Sequence, residues 1–161
     1  MKDVTEDKSH TQVQLRPLGP IPLGGTEPPF PSLVQVTRAQ RKKNGKHILI
    51  VEDDHYTLAA LEMIFGRYGC QVISASTVAE GLRLLDEDPD CVVLDLSLPD
   101  GLGIDILARI RELKMEVCIA VTTGSVDPGL LDAAASLHPD VLLRKPVDAK
   151  RLLNTFGVKS N

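Results

Sequence analysis

Four short apolar runs are each followed by side chains that could do chemistry. In chain order these side chains are Glu52 and Asp53, then Asp95, then Thr123, and finally Lys145. If the runs are parallel strands, these side chains gather at the carboxyl edge of one sheet, which is where open parallel sheets bind ligands. The spacing therefore predicts one site made of acid, hydroxyl and ammonium groups.

The carboxylates in this set predict a cation site. Carboxylates gathered at one edge repel each other, and keeping them ionised is costly unless a cation joins them. No cysteine or histidine is paired with them, and oxygen ligands alone suit Mg²⁺. We expect Asp53 and Asp95 to bind the ion through their carboxylates. Glu52 would contact the ion directly or through a water molecule, and the main chain near Ser97 would offer a carbonyl.

Asp95 is the candidate nucleophile of this site. A carboxylate held against Mg²⁺ can attack phosphorus and form an acyl phosphate. The charge on the phosphoryl oxygens then needs further donors, which the Lys145 ammonium and the Thr123 hydroxyl would supply. Taken singly, each residue is equally well interpreted as an ordinary loop residue at a strand end. The complete set argues for a shared task.

The apolar pattern predicts the elements that position these residues. Strands are predicted at 47–52, 71–75, 91–95, 117–122 and 141–144, with helical spacing between them. Apolar strands that alternate with helices are typical of a parallel sheet covered on both faces. The prediction is a doubly wound α/β domain with a five-stranded parallel sheet.

The helices are predicted from their apolar stripes and end signals. The second is predicted at about 77–87, the third at about 103–113, the fourth from Pro128, and the last at 148–156. In the first helix, Gly69 stands where a left-handed C-terminal cap is wanted. Its apolar stripe is predicted to consist of Leu58, Leu61, Met63, Ile64 and Phe65.

Composition divides the chain of 161 residues into two regions. Residues 1–46 hold six of the eleven prolines and a net charge of +4, whereas residues 47–161 carry −8. We predict a disordered, Pro-rich and then basic extension at 1–46, one folded domain at 47–157 and a short tail at 158–161. The basic stretch has no interleaved aromatic residue, so a solvated linker is favoured over a nucleic-acid partner.

The sequence also predicts where the protein works. No stretch approaches the roughly 20 apolar residues of a membrane span, and the polar start does not resemble a signal peptide. We therefore expect a cytoplasmic protein without a membrane partner. Cys70, Cys91 and Cys118 lack the spacing of a zinc or redox motif, so we expect buried, reduced thiols.

Residues 47 to about 157 resemble the receiver domain of bacterial two-component response regulators. The matching motifs are residues 48–54, residues 93–103, Thr123-Gly124 and Lys145-Pro146. The resemblance implies a flavodoxin-like sheet with strand order 2-1-3-4-5. It also implies roles for individual residues: Asp95 as phosphoacceptor, Glu52 and Asp53 as the acidic pair at Mg²⁺, Ser97 as a main-chain carbonyl ligand, Thr123 as switch hydroxyl and Lys145 as phosphate partner.

One neighbour competes for the hydroxyl role. Thr122 directly precedes Thr123, and either hydroxyl could serve. The family pattern of a hydroxyl followed by a small residue favours Thr123-Gly124.

The resemblance implies a phosphorylation switch in phosphorelay signalling. The phosphoryl donor would be a phosphohistidine on a sensor kinase or phosphotransfer protein, and the downstream partner is unspecified, with a homodimer as one possibility. Few residues follow the last predicted helix, so we expect a single-domain regulator. Ser97 stands where a phosphohydrolase would carry a second carboxylate, so we expect self-phosphorylation and autodephosphorylation but no other enzyme activity.

The chain departs from the family pattern at two aromatic positions. Leu142 stands three residues before the lysine and Val147 follows Lys145-Pro146, where receivers commonly place aromatic residues. An alternative is therefore a degenerate receiver used as a phosphorylation-independent docking or dimerisation module.

Overall fold

The computed structural model describes residues 45–159. Its main sheet contains β1 (His47–Val51), β2 (Gln71–Ala75), β3 (Cys91–Asp95), β4 (Cys118–Thr123) and β5 (Val141–Arg144). All neighbouring strands are parallel and the order is β2-β1-β3-β4-β5. The predicted α/β class and the order 2-1-3-4-5 are confirmed. The predictions for residues 1–44 and for the last two residues of the tail lie outside the described range.

Helices connect the strands at the predicted places. They are α1 (His55–Arg67), α2 (Val78–Leu84), α3 (Ile104–Glu112), α4 (Pro128–Ser136) and α5 (Ala149–Thr155). Helix α2 is shorter than predicted because a 3₁₀ turn at Leu85–Glu87 follows it. Within residues 45–159, none of these helices has the length and apolar character needed to cross a membrane.

Side-chain caps explain where most of the helices begin. The residues that accept a hydrogen bond from a first-turn N–H are Asp54 for α1, Thr77 for α2, Asp127 for α4 and Asp148 for α5. Gly69, just after α1, has φ +73°, as predicted for a left-handed cap.

The sheet separates two apolar layers. Successive residues of β1, such as Ile48 and Leu49, point to opposite faces. One face packs against α1 and α5, and the other packs against α2, α3 and α4.

One predicted core residue is wrong. Met63 is 63% exposed, whereas Leu61 and Phe65 are buried. Residues four apart share a helix face, and a residue midway between them points away from it. The stripe of α1 therefore passes through Leu61 and Phe65 without Met63.

Two aspartates fix the strand register at the amino edge of the sheet. Asp90 Oδ2 accepts a hydrogen bond of 2.9 Å from the His47 N–H, and Asp140 Oδ2 accepts one of 2.7 Å from the Ile119 N–H. Because a one-residue slip would turn every side chain to the other face, these contacts help decide which residues meet at the carboxyl edge.

Candidate functional site

The carboxyl ends of β1 and β3 bring the acidic residues together. Val51 lies opposite Leu94, so Glu52 and Asp95 are the next residues along neighbouring strands. Glu52 is 1% exposed and Asp95 is 3% exposed, whereas Asp53 is exposed. The site thus has two buried carboxylates under one that faces solvent.

Lys145 joins the two buried carboxylates. Its Nζ lies 2.7 Å from Glu52 Oε1 and 2.5 Å from Asp95 Oδ2. Its backbone N–H donates to the Thr123 carbonyl at 2.9 Å, which fixes the start of the side chain at the end of β4. The predicted phosphate partner therefore already contacts the predicted phosphoacceptor.

Burial and pairing act against each other on these charges. Burial raises the pKa of Glu52, and the hydrogen bond and charge of Lys145 only partly oppose it. Burial also acts to lower the pKa of Lys145, but its hydrogen bonds to Asp95 and Glu52 outweigh this, so the pKa lies above its ordinary value. The ammonium is therefore charged at neutral pH.

The acidic residues fit a hard divalent cation. One carboxylate oxygen from each of Glu52, Asp53 and Asp95 lies within 4.8 Å of the others. Lys145 is the only cation bonded to these three carboxyl groups among residues 45–159, so the group has more acidic than basic side chains. An all-oxygen set of this kind suits Mg²⁺ or Ca²⁺.

The loop after β3 is held against the Asp95 side chain. The Ser97 N–H donates to Asp95 Oδ1 at 3.0 Å, and Ser97–Leu98 pairs with Gly101–Leu102 in a short antiparallel ribbon. Asp95 Oδ1 thus accepts from the Ser97 N–H, and Oδ2 accepts from Lys145 Nζ. The ribbon places the main chain of Ser97, the predicted carbonyl ligand, beside the carboxylates.

The two candidate hydroxyls have different surroundings. Thr123 is fully buried and its Oγ1 accepts from the Ser125 N–H at 3.0 Å. Thr122, opposite Asp95 in register, is 1% exposed. Its Oγ1 is the buried side-chain polar atom of residues 45–159 that has no hydrogen-bond partner.

Two residues of this region were missed by the sequence reasoning. Asp100 Oδ1 and Oδ2 accept from the Val78 and Ala79 N–H groups at 2.7 and 3.0 Å, so the ribbon caps α2. At Gly103, a Cβ would lie 2.0 Å from the Asp95 carbonyl oxygen. The glycine at this turn was a usable signal, whereas nothing local indicated that Asp100 reaches a helix 21 residues away.

Leu142, at the unusual aliphatic position of β5, is half-buried. It packs against the apolar layer formed with α2, α3 and α4. The departure at Leu142 therefore lies on the sheet face opposite α1 and α5, whereas the one at Val147 lies in the layer with α1 and α5.

Comparison with known proteins places this geometry among signalling domains. The family model described as the response regulator receiver domain matches residues 48–156. The photosynthetic apparatus regulatory protein RegA of Rhodobacter capsulatus is 31% identical over 115 residues, which cover 71% of this chain and 62% of RegA. The transcriptional regulatory protein KdpE of Mycobacterium tuberculosis is 46% identical over 92 residues, or 55% of this chain and 41% of KdpE. The chain therefore spans about half the length of the curated relatives it matches.

Solved structures agree with the fold. A CheY-like response regulator receiver domain protein from Methanospirillum hungatei superimposes with a TM-score of 0.66 at 27% identity, covering 70% of this chain and 91% of that one. A response regulator from Burkholderia pseudomallei, with a phosphorylated aspartic acid, a calcium ion and citrate, gives 0.63 at 25% identity over 72% and 68% of the two chains.

Proposed function

The chain belongs to the response regulator receiver family, and from that premise we propose that it is a phosphorylation switch in two-component signalling. Asp95 accepts a phosphoryl group from a phosphohistidine of a sensor kinase or phosphotransfer protein. The observation that carries the proposal is the buried Asp95 carboxylate, bonded to Lys145 and grouped with Glu52 and Asp53. The phosphorylated aspartic acid in the Burkholderia regulator supports it.

The residues divide the work of the transfer among themselves. An Asp95 oxygen attacks phosphorus while the bond to the histidine nitrogen breaks, and its electron pair returns to the imidazole. Lys145 holds and orients the carboxylate, then donates to the phosphoryl oxygens. The Thr123 hydroxyl donates a hydrogen bond to the same phosphoryl group. It thereby gives up its present hydrogen bond from the Ser125 N–H, and this loss moves the loop after β4.

Mg²⁺ is the proposed cofactor. Glu52, Asp53 and Asp95 would hold it together with the main-chain carbonyl of Ser97. When bound, the ion neutralises charge on the phosphoryl oxygens during transfer. The all-carboxylate grouping supports this assignment.

The wider context of the switch is also proposed. We expect no enzymatic turnover beyond self-phosphorylation and autodephosphorylation, and a cytoplasmic location remains a prediction. Single-domain action remains a prediction as well, because the chain covers only part of its longer relatives. The mass of the protein isolated from its native cell tests whether it is a single-domain regulator.

Labelling with a small phosphodonor tests the switch. The protein is incubated with Mg²⁺ and acetyl phosphate, and hydroxylamine-sensitive phosphate is measured. We expect label on the wild type and on Asp86→Asn, a matched change at an exposed carboxylate. We expect none on Asp95→Asn, because the amide is a poor nucleophile. An unlabelled wild type, or label persisting on Asp95→Asn, would contradict the proposal.

A constitutive docking module is the second candidate, and Leu142 favours it. Receivers commonly carry an aromatic residue there that reports the state of the switch hydroxyl, and Leu142 has no such ring. Partner capture with phosphorylated wild type and with Asp95→Asn separates the two candidates. A switch recovers its partner preferentially with the phosphorylated wild type, whereas a docking module recovers it equally with both.

A further inference from the structure

Thr122 is a buried polar group that the proposed chemistry leaves unused. Its Oγ1 is without a hydrogen-bond partner among residues 45–159, although the residue is only 1% exposed. A buried hydroxyl without a partner is costly, and such groups in native structures are rare enough to require an explanation.

Strand register places this hydroxyl beside the phosphoacceptor. Thr122 lies opposite Asp95 on the neighbouring strand and opposite Leu143 on the other side. Leu143 packs in the layer formed with α1 and α5, as does Val93, two residues before Asp95. Directly opposite residues of parallel strands point to the same face, so Thr122 and Asp95 project side by side.

The Lys145 side chain passes over the same place. Lys145 follows β5, which is two strands away from β3 in the sheet order, a separation of about 10 Å. Its Nζ nevertheless reaches Asp95 Oδ2. The side chain must therefore cross the end of β4, where Thr122 is the residue on that face.

We propose that Thr122 is a second hydroxyl of the site, which donates a hydrogen bond to the Asp95 carboxylate group once Lys145 turns towards a phosphoryl group. This inference rests on the proposed function. Asp95 then exchanges one donor for another, and the Thr122 hydroxyl gains a partner in the phosphorylated state.

The consequence concerns the removal of the phosphoryl group. In hydrolysis, water oxygen bonds to phosphorus, the bond from phosphorus to Asp95 breaks, and its electron pair returns to the carboxylate. The water proton passes to solvent. Negative charge thus develops on Asp95, and a donor aimed at that charge stabilises the transition state more than the acyl phosphate. Thr122 therefore accelerates dephosphorylation.

The half-life of the phosphorylated protein tests this role. We expect Thr122→Val to lengthen it about tenfold, which is the effect of losing one hydrogen bond to developing charge. Thr122→Ser, which retains a hydroxyl, should behave as wild type. Thr155→Val is the matched control, because its hydroxyl bonds to Arg151 within α5; it should leave the half-life unchanged. An unchanged or shortened half-life in Thr122→Val would overturn the inference.

A second measurement does not depend on the variant folding. In the wild type, methyl NMR reports the χ1 rotamer of Thr122 with and without acetyl phosphate and Mg²⁺. A rotamer change on phosphorylation supports the inference, and an unchanged rotamer overturns it. If the wild type takes up no phosphate at all, the proposed function has failed first, so the two failures are distinguishable.

Discussion

At the scale of single residues, the site depends on a charge balance that Lys145 maintains. Glu52 and Asp95 are almost fully buried, and both bond to the same ammonium. Without that cation the two buried carboxylates would repel each other, and each would keep one backbone donor, the Asp54 N–H for Glu52 and the Ser97 N–H for Asp95. Lys145 is therefore needed for the stability of this edge as well as for the proposed transfer.

Replacing Lys145 tests this double role. In the absence of Mg²⁺, Lys145→Met should lower the free energy of unfolding by about 1.5 to 3 kcal/mol, because charged hydrogen bonds are lost. Mg²⁺ should restore more stability to the variant than to wild type, since the ion replaces the missing charge. Urea unfolding with EDTA and with Mg²⁺ measures both. Lys150→Met, an exposed change on α5, is the control; equal stability of the two variants would contradict the argument.

At the scale of elements, the ribbon after β3 connects the phosphoacceptor loop to α2. Ser97, at one end of the ribbon, donates to Asp95, and Asp100, at its turn, caps α2. Hydrogen bonds from the Ala79 and Val78 N–H groups lower the pKa of Asp100 below its ordinary 3.8. A conformational change at Asp95 can therefore be transmitted to α2 through the six residues 95–100.

The cap makes a prediction for stability against pH. A lowered pKa means that the contribution of Asp100 is present above about 3.8 and is lost as pH falls through the folded-state pKa. Asp100→Asn, which keeps one acceptor but no charge, should melt below wild type at neutral pH, and this difference should close at acid pH. Thermal unfolding across that range measures it, with Asp132→Asn on α4 as control. A difference that stays constant into acid would show that charge on Asp100 contributes nothing.

At the scale of the whole molecule, two apolar layers hold the sheet, and the cysteines belong to one of them. Cys91 is fully buried, and Cys70 and Cys118 are half-buried in the layer against α1 and α5. Burial raises the pKa of Cys91 to about 12 and that of Cys118 to about 11. Because the thiolate is the reactive form, we expect Cys91 and Cys118 to react slowly in the folded protein. The predicted burial is confirmed for Cys91 alone, and the reduced state of the three thiols stays a prediction.

Alkylation therefore reports on global unfolding. At about pH 8, iodoacetamide should label Cys91 only as fast as the whole domain opens, since it has neither access nor thiolate. Labelling followed by peptide mass spectrometry, with and without urea, measures the rate at each cysteine. Rapid labelling of Cys91 without urea would mean that the layer against α1 and α5 opens locally.

The sequence by itself was sufficient to locate the strands and the residues at their carboxyl ends, whereas the strand order was implied by the resemblance to receiver domains. Those features depend on local patterns: continuous apolar runs, helical stripes and turn residues, together with motifs of fixed spacing. Element ends shifted by one to three residues, and Met63 was assigned to the wrong face of α1, because a run of apolar letters does not reveal helical phase.

Only the tertiary structure decided which groups are bonded and which are left without a partner. Lys145 reaches across β4 to Asp95, Asp100 caps a helix earlier in the chain, and Thr122 rather than Thr123 has the unpartnered hydroxyl. These contacts join residues between 21 and 50 positions apart or depend on which way a side chain turns. Sequence spacing carries no information on either, because strand register and packing fix them only once the sheet has formed.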